Sequence, residues 1–217
     1  MNFIYFIIFA ILIFMSTLIG YKKFRSTTLY ALAIGGIVNA NFFHAVNYPI
    51  NCFGLSFGID SVIYTLFVFC VIVMLIKEDK KSAYLLAFSS IIAIMFSAIM
   101  QLVSDLLSVG SSYQVWASFL TFLVSSLASV VAVIVMLEIL DRLKDKLSNY
   151  LLLILGTFIA TIINSIIYYP LSLLIYGTPS NIYIFLLTAT IGKVIALLCG
   201  LLTLFIINKI DKNKQHQ

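Results

Sequence analysis

The chain has 217 residues, of which 63% are hydrophobic and only 10% are charged, whereas roughly a quarter of the residues in a typical soluble domain are charged. A soluble fold of this length would lack the polar surface needed to cover its core, so the composition excludes a soluble protein and indicates a membrane protein. The net charge of +5 does not indicate nucleic-acid binding, because the basic residues lie in short clusters between apolar runs.

Seven apolar runs follow one another along the chain, and each supplies the roughly 20 residues that cross the hydrocarbon of a bilayer. They cover residues 2–20, 27–47, 58–76, 83–108, 115–139, 149–175 and 181–208, and residues 209–217 form a short polar tail. The connections are short, with Pro49 and Gly54 before the third run and Gly177 and Pro179 before the seventh, as is typical of turns. We predict a single all-α transmembrane domain, a polytopic bundle of about seven helices.

Twelve of the 13 basic residues fall into four clusters, which follow the first, third, fifth and seventh runs. They are Lys22, Lys23, Arg25, Lys77, Lys80, Lys81, Arg142, Lys144, Lys146, Lys209, Lys212 and Lys214. Because basic loops stay in the cytoplasm, this pattern predicts a multi-pass protein of the cell inner membrane or plasma membrane with its N-terminus outside and its C-terminus inside. The first run lacks the basic segment of a cleaved signal peptide, so we expect it to be retained as a helix.

The sequence gives little support for an enzymatic function. Residues 54–58 match the letters G-x-S-x-G of a serine nucleophile elbow, but they lie in a predicted outer loop and the only histidines are His44 and His216. That motif requires a strand–turn–helix context and a histidine base. One intramembrane histidine does not make a metal site, and no phosphate-binding loop is present. We therefore predict a protein that is not an enzyme and has no metal or cofactor.

Polar side chains inside the apolar runs are the candidates for substrate contact, because such groups are costly in lipid and normally face a bundle interior or a wet cavity. These residues are Asn41, His44 and Asn47 in the second run, Gln101 and Asp105 in the fourth, Asn164 in the sixth and Lys193 in the seventh.

Other polar residues have simpler roles. Hydroxyl groups are expected to bond the preceding helical turn or to help helices pack. We predict that the face of the fifth run formed by Ser125, Ala128 and Ser129 serves packing alone. Glu138 and Asp141 end that run, and we expect them to pair with nearby basic residues, Arg142 or Lys144.

Lys193 is the one basic residue inside an apolar run, with about twelve residues of apolar helix on one side and about fifteen on the other. A charge within hydrocarbon costs roughly 2.5–3.5 kcal/mol, and both helix ends are roughly 18 Å or more away. Snorkelling covers only part of that distance. We predict a nearby acceptor, either Asp105 or a cluster of carbonyl and amide oxygens, and a functional role, with proton coupling as one candidate.

Several different short motifs follow one another along nearly the whole chain. They are Met1-Asn2, Tyr21-Lys22-Lys23-Phe24, Asn39-Ala40-Asn41, Phe53-Gly54-Leu55, Tyr64, Lys80-Lys81-Ser82-Ala83, Glu138-Ile139-Leu140-Asp141, Asn164-Ser165 and Lys193. In their order and spacing the chain resembles the queuosine-precursor transporters, the VUT family. It departs from that family at Ile72 and Ile76, where the family has carboxylates, and at Asn164, where the family has an aspartate.

The resemblance implies uptake of a queuosine precursor, a deazaguanine-type base such as preQ0, preQ1 or queuine, or a related flat heterocycle. The amides of Asn41, Gln101 and Asn164 suit the polar edge of such a base, and Tyr and Phe side chains suit its faces. Two alternatives stay open, the substrate-binding membrane subunit of a vitamin importer and a non-transporting membrane scaffold. The expected partners are a small-molecule substrate and the lipid bilayer, with no nucleic acid; a coupling proton and a homo-oligomer both stay open.

Overall fold

The computed structural model describes the chain as a bundle of helices with one small hairpin. Its backbone covers residues 3–46, 50–52, 55–57, 59–108, 110–176 and 182–215, and its side chains cover 3–38, 59, 61–108, 110–171, 173–175 and 190–206. The elements are α1 (Phe3–Phe24), α2 (Ser26–Val46), β1 (Ile50–Cys52), β2 (Leu55–Phe57), α3 (Asp60–Lys77), α4 (Lys80–Ser108), α5 (Tyr113–Leu143), α6 (Asn149–Tyr176) and α7 (Ile182–Gln215).

Within the described residues, four helices are long and apolar enough to cross a membrane, which confirms the prediction of a helical membrane protein. They are Phe3–Phe24, Lys80–Ser108, Tyr113–Leu143 and Asn149–Ile175. Shorter apolar helical segments are described in the other three helices, at Ser26–Val38, Ser61–Lys77 and Thr190–Ile206.

The connection between α2 and α3, predicted as a loop, contains a two-stranded antiparallel hairpin. Ile50 lies opposite Phe57, and Cys52 lies opposite Leu55. Both strands alternate apolar and polar residues, which is the period of a strand and not of a helix. The hairpin contacts the bundle through α1 and α7.

Helix α3 lies at the centre of the bundle and contacts α2, α4, α5, α6 and α7. Every side chain from Leu66 to Leu75 is buried. A helix that is apolar on all sides is surrounded by protein and not by water. Helices α1 and α4, in contrast, expose large apolar side chains such as Leu12 and Phe96, which form the outer surface that lipid covers.

Helices α3, α5 and α6 approach one another closely at Gly156. A Cβ atom at this position would lie 2.6 Å from Cδ1 of Ile72 and 2.6 Å from Cδ1 of Leu140. Small residues permit such close contact between helices in membranes. Ile72 is fully buried, so its side chain contributes to this packing.

A network of charges joins the start of α4 to the end of α5. Lys80 Nζ lies 2.9 Å from Glu138 Oε1 and 3.3 Å from Asp141 Oδ2, and Lys144 Nζ lies 2.9 Å from Asp141 Oδ1. The expected pair of Asp141 and Lys144 is confirmed, whereas Glu138 pairs with a lysine of another helix. The hydrogen bond from Lys144 is the main cause that lowers the pKa of Asp141, and the bond to Glu138 is the main cause that raises the pKa of Lys80.

Candidate functional site in the middle of the bundle

A buried chain of three hydrogen-bonded side chains joins α5, α6 and α7. Lys193 Nζ donates to Asn164 Oδ1 over 3.3 Å, and Asn164 Nδ2 donates to Ser129 Oγ over 3.1 Å. Lys193 is 9% exposed and Asn164 is 7% exposed. Because an ammonium group only donates, its position requires that the amide oxygen of Asn164 faces α7 and that its NH₂ group faces α5.

Tyr64 of α3 provides an aromatic wall for the same site. Lys193 Nζ lies 4.3 Å from the centroid of the Tyr64 ring, which is within the range of a cation–π interaction. The Tyr64 hydroxyl donates to the backbone oxygen of Ala160 over 3.1 Å. Since Ala160 lies one turn before Asn164, α6 orients both the aromatic ring and the amide that hold the lysine.

The site is far from both ends of α5 and α6, whereas Tyr64 lies about one turn from the start of α3. Ser129 and Asn164 lie roughly 18 Å or more from either end of α5 and α6, at 1.5 Å per residue. Both helices are long enough to cross a membrane, so Ser129 and Asn164 lie in the middle of the membrane-crossing parts of α5 and α6. The Thr65 hydroxyl, 2.8 Å from the Ser61 oxygen and 3.5 Å from the Lys193 backbone oxygen, also links α3 to α7.

Of the two kinds of acceptor predicted for Lys193, the structure shows the amide oxygen, that of Asn164. Asp105 instead accepts a hydrogen bond of 2.9 Å from Gln101 Nε2, one turn earlier on α4. A neutral amide oxygen satisfies an N–H donor of the ammonium without adding a second charge to the interior of the bundle.

Gln101 also lines a groove between α2 and α4 with a volume of about 410 Å³. Its lining residues are Val38, Ala93, Phe96, Ser97, Met100, Gln101 and Ser104. The groove is mostly apolar, with a polar row along one helix. Two of the predicted site residues, Gln101 and Asp105, therefore lie together on α4, and two others, Asn164 and Lys193, lie together between α6 and α7.

The predicted residues of α2 lie at the edge of what the structure describes. Asn41 and His44 belong to the last turns of α2, but their side chains are outside the described set, and Asn47 is outside the described residues altogether. The convergence of Asn41 with Asn164 and Lys193 in one pocket thus stays a prediction.

Two residues of the site were not predicted to belong to it. The prediction that Ser129 serves packing alone is wrong, because its hydroxyl accepts the hydrogen bond of Asn164; its neighbour Ala128 is fully buried and does serve packing. Tyr64 was noted only as a family motif. Its one further signal in the sequence is a phenol within a mostly apolar run, and a buried phenol usually has a hydrogen-bond partner.

Among the described residues, no three His, Cys, Asp or Glu side chains come together in a group that could hold a metal ion. Comparisons of the chain with protein-family models, with curated proteins and with solved structures give no match.

Proposed function

We propose that the protein is a transporter of the plasma membrane that takes up a small, flat, polar heterocycle, a deazaguanine-type base such as preQ0, preQ1 or queuine. The observation that carries the proposal is the buried chain Lys193–Asn164–Ser129 in the middle of an apolar bundle. The resemblance to the queuosine-precursor transporters supplies the substrate class.

A lysine in this position has a cost that packing alone does not explain. A charge in the centre of a membrane helix costs roughly 2.5–3.5 kcal/mol on insertion scales, and such residues mark substrate or ion pathways. An apolar side chain such as methionine would fill the same volume without that cost. The site residues also come from four different helices, which is typical of ligand sites built between the helices of a bundle.

The chemistry of the site fits a purine-like base. Lys193 is a donor, and the amide of Asn164 and the hydroxyl of Ser129 each offer both donor and acceptor atoms. The Tyr64 ring offers an aromatic surface against which a flat ring stacks. A deazaguanine carries the complementary set, a ring carbonyl that accepts, an amino group that donates and two flat faces.

The proposed topology has seven membrane spans, with the N-terminus outside and the C-terminus in the cytoplasm. It is supported by the four basic clusters, all of which lie at or just after the C-terminal ends of odd-numbered helices. The ion pairs between Lys80 and the acids of α5 lie at the end of the bundle that this topology assigns to the cytoplasm.

The test is uptake of radiolabelled preQ0, preQ1 and queuine into proteoliposomes that contain only this protein. Wild-type protein should accumulate at least one of the three bases, and Lys193→Met should not. Lys146→Met is the matched control, because it removes a lysine from a loop and should leave uptake unchanged. Equal uptake by folded Lys193→Met and wild-type protein would contradict the proposed role of the lysine.

The same experiment separates the two alternatives. A vitamin-importer subunit would bind a base, seen as a thermal shift of the purified protein, but would not transport it without a partner. A membrane scaffold would give neither a thermal shift nor uptake with any of the three bases, and that result would contradict the proposed function.

A further inference from the structure

Seven hydroxyl side chains in the described helices bond the backbone of the preceding turn. Ser16, Thr17, Thr65, Ser90, Thr121, Ser126 and Thr203 each donate to the carbonyl oxygen four residues earlier. Among the described side chains, the hydroxyls of Thr157 and Ser165 are buried and have no hydrogen-bond partner. Both exceptions lie on α6, within two turns of Asn164.

Thr157 does not follow this pattern, although its own helix offers the usual acceptor. Its residue is 2% exposed, and the carbonyl of Leu153, four residues earlier in the same helix, is the acceptor that such a hydroxyl ordinarily uses. Leaving a buried hydroxyl unpaired destabilises a fold, because the desolvation of the group is not compensated. Buried polar atoms without a protein partner are typically satisfied by ordered water, which needs two to four polar neighbours.

The polar groups of α6 provide such neighbours in a row. Thr157, Thr161 and Asn164 are spaced four and three residues apart, so they lie on one face of the helix. All three are buried. The row begins at the amide that holds Lys193 and leads toward Asn149, the end of α6 that the proposed topology places in the cytoplasm.

We propose that Thr157, Thr161 and Asn164 line a narrow hydrated track that connects Lys193 with the cytoplasmic half of the bundle. Beside Thr157, the close packing of Gly156 against Ile72 and Leu140 leaves no room for a base on that side of α6. The role of the track is to let water and protons reach Lys193 while the solute is bound, and this role rests on the proposed function. The existence of the track does not rest on it.

The test is the reaction of introduced cysteines with Ag⁺, an ion that reaches buried thiols through hydrated paths. Thr157→Cys and Thr161→Cys are compared in inside-out vesicles with Leu153→Cys and Ala160→Cys, which are controls on the same helix at 1% and 0% exposure. Mass spectrometry identifies the cysteine that has reacted with Ag⁺. The native Cys70, which is also buried, is an internal control. We expect the two threonine positions to react at least about tenfold faster than the controls, because thiolates form readily only where water is present.

Equal rates at all four positions would overturn the proposal. If Thr157→Cys does not fold, thermal unfolding of Thr157→Val and Thr157→Ser decides. In a hydrated track the valine removes a partner of water, so its melting temperature falls below that of wild type and serine restores it. In a dry core the valine removes an unpaired hydroxyl and raises the melting temperature, which would refute the track. Neither measurement uses a solute. If they support the track but the protein takes up no base, the proposed function is contradicted and the track is not.

Discussion

The hydrogen bond between Lys193 and Asn164 is the contact on which the candidate site depends, and a double-mutant cycle measures it directly. Asn164→Leu keeps the branched shape of the side chain and its number of heavy atoms but takes the amide acceptor from a buried ammonium. Hydrogen bonds to charged groups contribute about 1.5–3 kcal/mol, and Ser129 also loses its donor. We expect the free energy of unfolding to fall by about 3 kcal/mol.

Lys193→Met has two opposing effects. It leaves Asn164 Oδ1 buried without this donor, which costs about 1–3 kcal/mol, and it removes a charge that costs roughly 2.5–3.5 kcal/mol in hydrocarbon. The two nearly cancel, so the single variant should differ from wild type by less than about 1 kcal/mol. In the double variant, leucine meets methionine and most of the loss from Asn164→Leu disappears. The expected coupling free energy is about 2 kcal/mol.

The assay is reversible unfolding of the purified protein in mixed micelles, followed by circular dichroism as the fraction of denaturing detergent rises. Gln101→Leu combined with Lys193→Met is the matched control, because the Gln101 amide bonds Asp105 on its own helix; these two changes should be additive. Additive effects of Asn164→Leu and Lys193→Met would show that the two side chains do not interact, and the site as described would be wrong.

Three further predictions concern packing, pH and topology. Gly156→Ala should lower the free energy of unfolding by about 1–3 kcal/mol through overpacking. Gly35→Ala, whose added Cβ meets nothing within 4 Å, should instead raise it by up to about 1 kcal/mol. Unfolding of both variants in micelles tests this prediction, and equal effects would contradict it. The pKa of Asp79 is held below its ordinary value chiefly by the backbone N–H of Ser82, so this carboxylate stabilises the fold above its unfolded pKa and the contribution is lost as pH falls through the lower folded pKa. Asp79→Ala should therefore flatten the acid side of the curve of stability against pH, and an unchanged curve would refute this role of the Asp79 carboxylate. Reporter fusions should read cytoplasmic after residues 26, 80, 146 and 214 and external near residues 53, 112 and 178; a cytoplasmic signal at 112 would mean that the fourth and fifth spans were miscounted.

The helical architecture and the unusual position of Lys193 could both be predicted from the sequence, because both depend on local composition. Lys193 is recognisable as the one basic residue inside an apolar run, and lipid makes such an exception costly. The identity of its acceptor depends on which helices are neighbours. Sequence spacing does not reveal that α6 places Asn164 beside α7, nor that Lys80 of α4 reaches Glu138 of α5.

The remaining parts of the site were missed for a similar reason. Ser129 follows Ala128 on a face of small residues, and a serine in that setting is typical of helix packing, so its bond to Asn164 is visible only in the assembled bundle. Tyr64 is one of 12 tyrosines in the chain, and no local pattern marks it as the ring beneath a lysine. The hairpin before α3 was missed because each strand has only three residues, too few for a reliable alternation.

The all-round apolar surface of α3 also has a consequence for how the protein is made. This helix is synthesised before α6 and α7, two of the helices that eventually cover it, and lipid can cover its apolar faces in the interval. Lys193 follows in the last helix, after Ser129, Asn164 and Tyr64 have already been synthesised. The order of synthesis therefore brings the charged Lys193 to the membrane when the groups that hold it are already there.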